Sequence, residues 1–132
     1  MSRVLVDTSA YSAFFRGHAG VIEVLRAADE IIVSAIVLGE LRAGFIRGAQ
    51  RAKNERELDV FLASPRSRVA AIGAETALRY AYIFAFLRKS GAPIPTNDIW
   101  IAASAMELGA AVLTTDSHFR SIPQILAVVH DP

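Results

Sequence analysis

The sequence predicts a single α/β domain, residues 1–132, on a mainly parallel central sheet of four to five strands flanked by helices. Two observations carry that expectation. Short β-branched or apolar runs alternate along the chain with segments whose apolar residues recur at helical spacing, the pattern of strands joined by crossover helices. Late in the chain a helix stops at Gly109, and residues 110–114 continue at once as a short buried strand. So brief a junction makes the two one α/β unit, with Asp116 just past the carboxyl end of the strand.

Each element has its own reason. Val4, Leu5 and Val6 form a first strand over residues 3–6, and the capping side chains Asp7, Thr8 and Ser9 begin a helix over residues 10–16. Gly17 and Gly20 break the pattern before Val21, Ile22, Val24 and Leu25 support a second helix to about Ala28. Residues 31–34 are a second strand, followed by a helix bearing Val37, Leu41, Phe45, Ile46 and, among them, Glu40. The charged residues 50–57 lead into an apolar stripe that ends at Ser64-Pro65, a second helix lying antiparallel to the one before it. Residues 69–72 form a short strand, and Gly73 opens a long helix to Ser90-Gly91. Residues 92–95 then deliver a helix capped by Thr96 or Asn97, with Asp98 in its first turn, where free backbone N–H groups and the dipole favour a carboxylate. That helix runs to about Leu108 and is apolar nearly all round, as a helix packed on both sides must be. A turn over residues 119–123 precedes a last strand at 126–129.

Composition limits what such a domain does. With no cysteine in 132 residues, disulfide frameworks and thiolate metal sites are excluded, and a reducing cytoplasm is compatible. A net charge of +1 gives no bulk attraction to nucleic acid, so any contact with it rests on how the arginines are placed. There is no room for a secretory leader ahead of Asp7 and no apolar run long enough to span a bilayer, so a soluble, cytoplasmic protein without membrane association is expected. The hydrophobic content of 53% is high for a lone small domain and predicts apolar surface covered by a second copy or a companion chain. The helix pair carrying Val37, Leu41, Phe45, Ile46, Leu58 and Phe61 is where that surplus is expected.

Four acids stand where a core does not want them: Asp7 after the first strand, Glu40 amid Leu38, Gly39 and Leu41, Asp98 at a helix start, Asp116 after a later strand. Singly, each has an innocent role as a cap, a turn residue or a surface acid. Together, converging carboxylates repel unless a divalent cation compensates them, and oxygen-only ligands select hard ions such as Mg²⁺ or Mn²⁺. Thr8, Ser9, Thr114, Thr115 and Ser117 either cap or aim those carboxylates. His18, His118 and His130 are isolated by spacing, and loop or surface roles are expected of them. No phosphate-binding loop of the GxxxxGK[ST] or GxGxxG kind is present.

These stretches resemble the PIN-domain family and, within it, VapC-type toxins of toxin–antitoxin systems. Val4-Leu5-Val6-Asp7-Thr8-Ser9 is similar to the first motif and Gly39-Glu40-Leu41-Arg42-Ala43-Gly44 to the second. Asn97-Asp98 with Ile101-Ala102-Ala103 and Gly109 resembles the third, and Leu113-Thr114-Thr115-Asp116 with Phe119 and Ile122 the fourth. Many relatives carry a further acid where this chain has Ser117 and His118. The resemblance implies a single PIN-like nuclease domain. It would be a metal-dependent endoribonuclease cutting single-stranded or looped RNA and leaving a 3′-hydroxyl and a 5′-phosphate. Asp7, Glu40, Asp98 and Asp116 would be its catalytic, Mg²⁺- or Mn²⁺-binding residues, and Thr8, Ser9, Asn97, Thr114 and Ser117 would support them. It further implies a homodimer held by a cognate VapB-like antitoxin. A non-catalytic RNA-binding relative is the alternative. A phosphoacceptor receiver is disfavoured because neither Lys53 nor Lys89 stands at a late strand end, and a haloacid-type phosphatase because Asp7-Thr8-Ser9 lacks the second acid of Asp-x-Asp.

Overall fold

The computed structural model describes residues 2–132. Five strands, β1 (Arg3–Val6), β2 (Glu30–Ser34), β3 (Ser67–Ala70), β4 (Ala111–Thr114) and β5 (Ala127–Val129), pair in parallel in the order β3-β2-β1-β4-β5. Six helices flank them: α1 (Thr8–Phe15), α2 (Ala19–Ala27), α3 (Ala35–Arg47), α4 (Arg51–Ala63), α5 (Ala74–Ser90) and α6 (Thr96–Leu108). A 3-10 helix, Ser117–Ser121, links β4 to β5. A sheet covered on both faces needs strands apolar on both sides, and Leu5, Val6, Ile32, Val33, Val112 and Leu113 are fully buried. Among the described residues no helix is long and apolar enough to cross a membrane.

From β1 the chain builds outward through β2 and β3, then returns to place β4 on the other side of β1. The order therefore reverses between β1 and β4, and in open α/β sheets ligands bind outside the carboxyl ends of the strands at that point. The backbone N–H of Asp7 donates to the carbonyl of Leu113 at 3.0 Å, fastening the ends of the two strands together. Asp7 and Asp116 emerge there.

α6 packs against α5, α3 and β4, which accounts for its apolar circumference: Ile101, Ala102 and Ala103 are fully buried, and Trp100 stacks on Tyr80 of α5 at 4.1 Å. Gly109 ends it in the left-handed region at φ 64°. Its start differs from expectation. Neither Thr96 nor Asn97 caps it; Pro95 holds that position, and its carbonyl accepts from the N–H of Asp98 at 3.1 Å and of Ile99 at 3.3 Å. Proline's fixed φ presets the entry, and the Asn97 side chain is left for other use.

The apolar surplus lies only partly where expected, with Ile46 of α3 and Val60 of α4 exposed. Val37, Leu41 and Leu58 are in the core, Phe45 and Phe61 pack partly against it, and only Ile46 of that group is exposed. A further exposed apolar face belongs to α5, where Leu78, Tyr82 and Phe86 recur every fourth residue and meet solvent. Helical spacing alone did not reveal it, because α5 buries only Thr76, Ile83 and Leu87 and is apolar well beyond that narrow stripe.

Candidate active site

Asp7 is the most buried of the four acids, 4% exposed at the end of β1. Although it occupies the position before α1, its side chain makes no capping bond. Oδ2 instead accepts from two hydroxyls, Ser9 Oγ at 2.7 Å and Thr114 Oγ1 at 2.7 Å. Those hydroxyls are themselves aimed: the N–H of Thr115 donates to Ser9 Oγ at 3.0 Å and that of Asp116 to Thr114 Oγ1 at 2.9 Å. Burial pushes the Asp7 carboxyl above its usual 3.8; the two hydroxyls and the Thr8 backbone oppose this, and the nearby Glu40 charge reinforces it.

Asp98, in the first turn of α6, is also held above the usual value, first by burial, with the charges of Asp7 and Asp116 adding to it and His118 opposing. Asp116 accepts at Oδ1 from the N–H of His118 at 2.9 Å and so caps the 3-10 helix. The turn role open to it in the sequence is real, and it does not remove Asp116 from the group.

His118 is the residue that sequence spacing missed. Its Nδ1 lies 3.1 Å from Asp98 Oδ2 and 3.2 Å from Asp116 Oδ1, and the ligand atoms of Asp98, Asp116 and His118 all lie within 4.8 Å of one another. The hydrogen bond to Asp98 raises the imidazole's pKa above the usual 6.5, helped by the charges of Asp116, Asp98 and Asp7. The signal that could have found it is its place two residues after Asp116, on the turn that Asp116 caps. His18 does keep a local role: Nδ1 caps α2 by accepting from the N–H of Val21 at 3.2 Å, and Nε2 meets the carbonyl of Asp131 at 2.6 Å.

Glu40 stands at the rim. Oε1 accepts from Thr8 Oγ1 at 2.6 Å and Oε2 from Asn97 Nδ2 at 3.3 Å, so the two oxygens are bridged to α1 and α6 by neutral donors. It borders an open depression with Ala35, Ile36, Gly39, Ala43 and Asn97. Ser117 is exposed at the start of the 3-10 helix, and its hydroxyl bonds none of the acids. Among the described residues no lysine or arginine pairs with Asp7, Glu40, Asp98 or Asp116. The donor set fits a divalent cation: Asp98 and Asp116 with His118, Asp7 close enough to act on Asp98 and His118 electrostatically, and Glu40 close enough to act on Asp7.

Residues 4–125 match the family model described as the PIN domain. Ribonuclease VapC4 of Mycobacterium tuberculosis is 31% identical over 93 residues, covering 70% of this chain and 72% of that protein. Ribonuclease VapC2 of Rickettsia felis is 29% identical over 106 residues, 80% of this chain and 78% of that one. Among solved structures, VapBC2 from Rickettsia felis bound to a promoter DNA fragment superposes with a TM-score of 0.85 at 25% identity, over 98% of this chain and 99% of that chain. VapBC-1 from nontypeable Haemophilus influenzae shares the fold, with a TM-score of 0.84 at 23% identity over 96% and 97%.

Proposed function

Since the chain belongs to the PIN domain family, we propose that it is a metal-dependent endoribonuclease and the toxin of a toxin–antitoxin pair. The observation that carries this reading is the convergence of Asp98 and Asp116 beside the buried Asp7 at the switch point of the sheet, with no basic side chain among the described residues other than His118 to compensate them. Its relatives named ribonucleases support the choice of substrate.

Asp7, Asp98 and Asp116 would hold Mg²⁺ or Mn²⁺, with Glu40 completing the acid group from the rim. Such a cation would supply Lewis-acid activation of water and offset charge on a phosphodiester. Ser9 and Thr114 occupy Asp7 Oδ2 and thereby fix the carboxylate's orientation. Thr8 and Asn97 do the same for Glu40. The depression beside Ala35, Gly39 and Ala43 leaves room for a strand of RNA to lie against the site.

Partners follow from apolar surface. Two clefts that share Phe14 and Phe61, one also lined by Ile22, Leu25 and Arg66 and the other by Phe15 and Val60, suit an apolar segment of a VapB-like antitoxin. The exposed face of α5 suits a second copy of the chain.

The deciding experiment is incubation with structured RNA, with Mg²⁺, with Mn²⁺ and with a chelator, followed by mapping of the ends. Cation-dependent cleavage leaving 3′-hydroxyl and 5′-phosphate ends is expected. RNA retained intact at saturating cation would instead select the non-catalytic RNA-binding reading.

A further inference from the structure

We propose that His118 is itself a ligand of the divalent cation, through Nδ1, so that this chain's centre is a mixed nitrogen–oxygen site favouring a first-row ion such as Mn²⁺ over Mg²⁺. The inference rests on the reading of the acid group as a metal centre and adds to it one ligand and one selectivity.

Three features separate this from a surface ion pair. An ion pair needs one carboxylate, whereas Nδ1 lies between two, 3.1 Å from Asp98 Oδ2 and 3.2 Å from Asp116 Oδ1. Neighbouring ligands of an octahedral cation with bonds of about 2.1 Å lie about 3 Å apart and opposite ones about 4.2 Å. The separation of neighbouring ligands matches the two contacts that Nδ1 makes. Finally, the ring is not carried on a loose loop. The backbone N–H of His118 donates to Asp116 Oδ1 at 2.9 Å, and the adjoining Phe119 is fully buried, so the 3-10 helix sets the imidazole against Asp116.

The chemistry follows from the donor. Carboxylates serve hard Mg²⁺ and Mn²⁺ alike, while imidazole adds affinity for first-row divalent ions and little for Mg²⁺.

The test is spectroscopic. Mn²⁺ is added to the full-length protein and to His118→Ala and His118→Asn, with binding followed by electron paramagnetic resonance and ligand nitrogen by spin-echo modulation, using protein with and without ¹⁵N-histidine. Mg²⁺ affinity is measured by competition. Expected is an imidazole nitrogen coupling that changes with the isotope and vanishes in both variants, with Mn²⁺ affinity falling about tenfold and Mg²⁺ affinity by less than about threefold. A thermal melt of each variant reports folding. Mn²⁺ bound without nitrogen coupling, at an affinity both variants share, would overturn the role of His118 and leave the acid centre standing. No Mn²⁺ binding by the unaltered chain would overturn both.

Discussion

Asp7 and Tyr82 break the same rule in opposite directions. Asp7 is a carboxylate buried to 4% exposure at the centre of the sheet's carboxyl edge, and Tyr82 is an aromatic residue left 61% exposed on α5. Burying a charge without a counter-charge and exposing a row of large apolar groups are each unfavourable for a free chain. The two regions differ in how far the fold itself offsets that. Around Asp7 it supplies two hydroxyl donors and holds three more ionisable groups in place. Around Tyr82 stand exposed neighbours of the same kind, Leu78 and Phe86, one helical turn to either side. The first region suits something small and charged; the second suits something large and apolar.

The contrast breaks most sharply at the acids. Asp7→Asn, Asp98→Asn and Asp116→Asn are each expected to lower RNA cleavage by on the order of a thousandfold, because a ligand lost from the group removes charge that the reaction needs. Melting temperature should hold or rise, since the same change relieves repulsion and the cost of burying a charge. Unfolding of the asparagine variants would mean that these acids are structural partners. The supporting hydroxyls come next: Ser9→Ala with Thr114→Val should reduce cation affinity roughly ten- to a hundredfold, measured by calorimetry, while leaving the sheet intact.

On the other side, Tyr82→Glu should dissociate a dimer of the chain, visible by light scattering, with the melting temperature at high dilution unchanged. Loss of a central aromatic contact weakens such an interface by about 2 kcal/mol or more. A dimer that persists in that variant would move the contact away from α5, and a chain that is monomeric before substitution would remove the second copy altogether.

Much of this was legible in the sequence. β1, α3, α4, α5 and α6 lie within a few residues of where the patterns put them, because strands buried on two faces and helices ended by Gly91 or Gly109 announce themselves locally. The parallel sheet and the meeting of Asp98 with Asp116 followed from the α6–β4 junction. Three things were not legible. Capping of α6 by Pro95 was hidden because Thr96 and Asn97 are better capping residues by type. The α5 face was hidden because a helix reads as amphipathic or not, and α5 shows its apolar residues to water. His118 was hidden because its one local signal, two residues after Asp116, gains meaning only from the 3-10 turn that folds it back towards α6, a tertiary fact.

The smallest expected effect is also the one that ties stability to the site. Asp7 and Asp98 both have folded pKa values above the usual 3.8, chiefly through burial. At pH values between 3.8 and those raised values the folded chain holds protons that the unfolded chain has lost. The stability this contributes is therefore complete below 3.8 and is lost as pH rises through the folded values. Without divalent cation, the melting temperature of the unaltered chain minus that of Asp7→Asn should thus fall, by a few degrees, as pH rises through that window. Taking the difference cancels the titration of carboxylates that do not feel Asp7, leaving Asp7 and its coupling to Asp98. Mn²⁺ should flatten the slope, since a bound cation favours the ionised carboxylate and replaces the proton. A difference that grows with pH in the absence of metal would mean that Ser9 and Thr114 outweigh burial, and that Asp7 is held as a carboxylate by the fold alone.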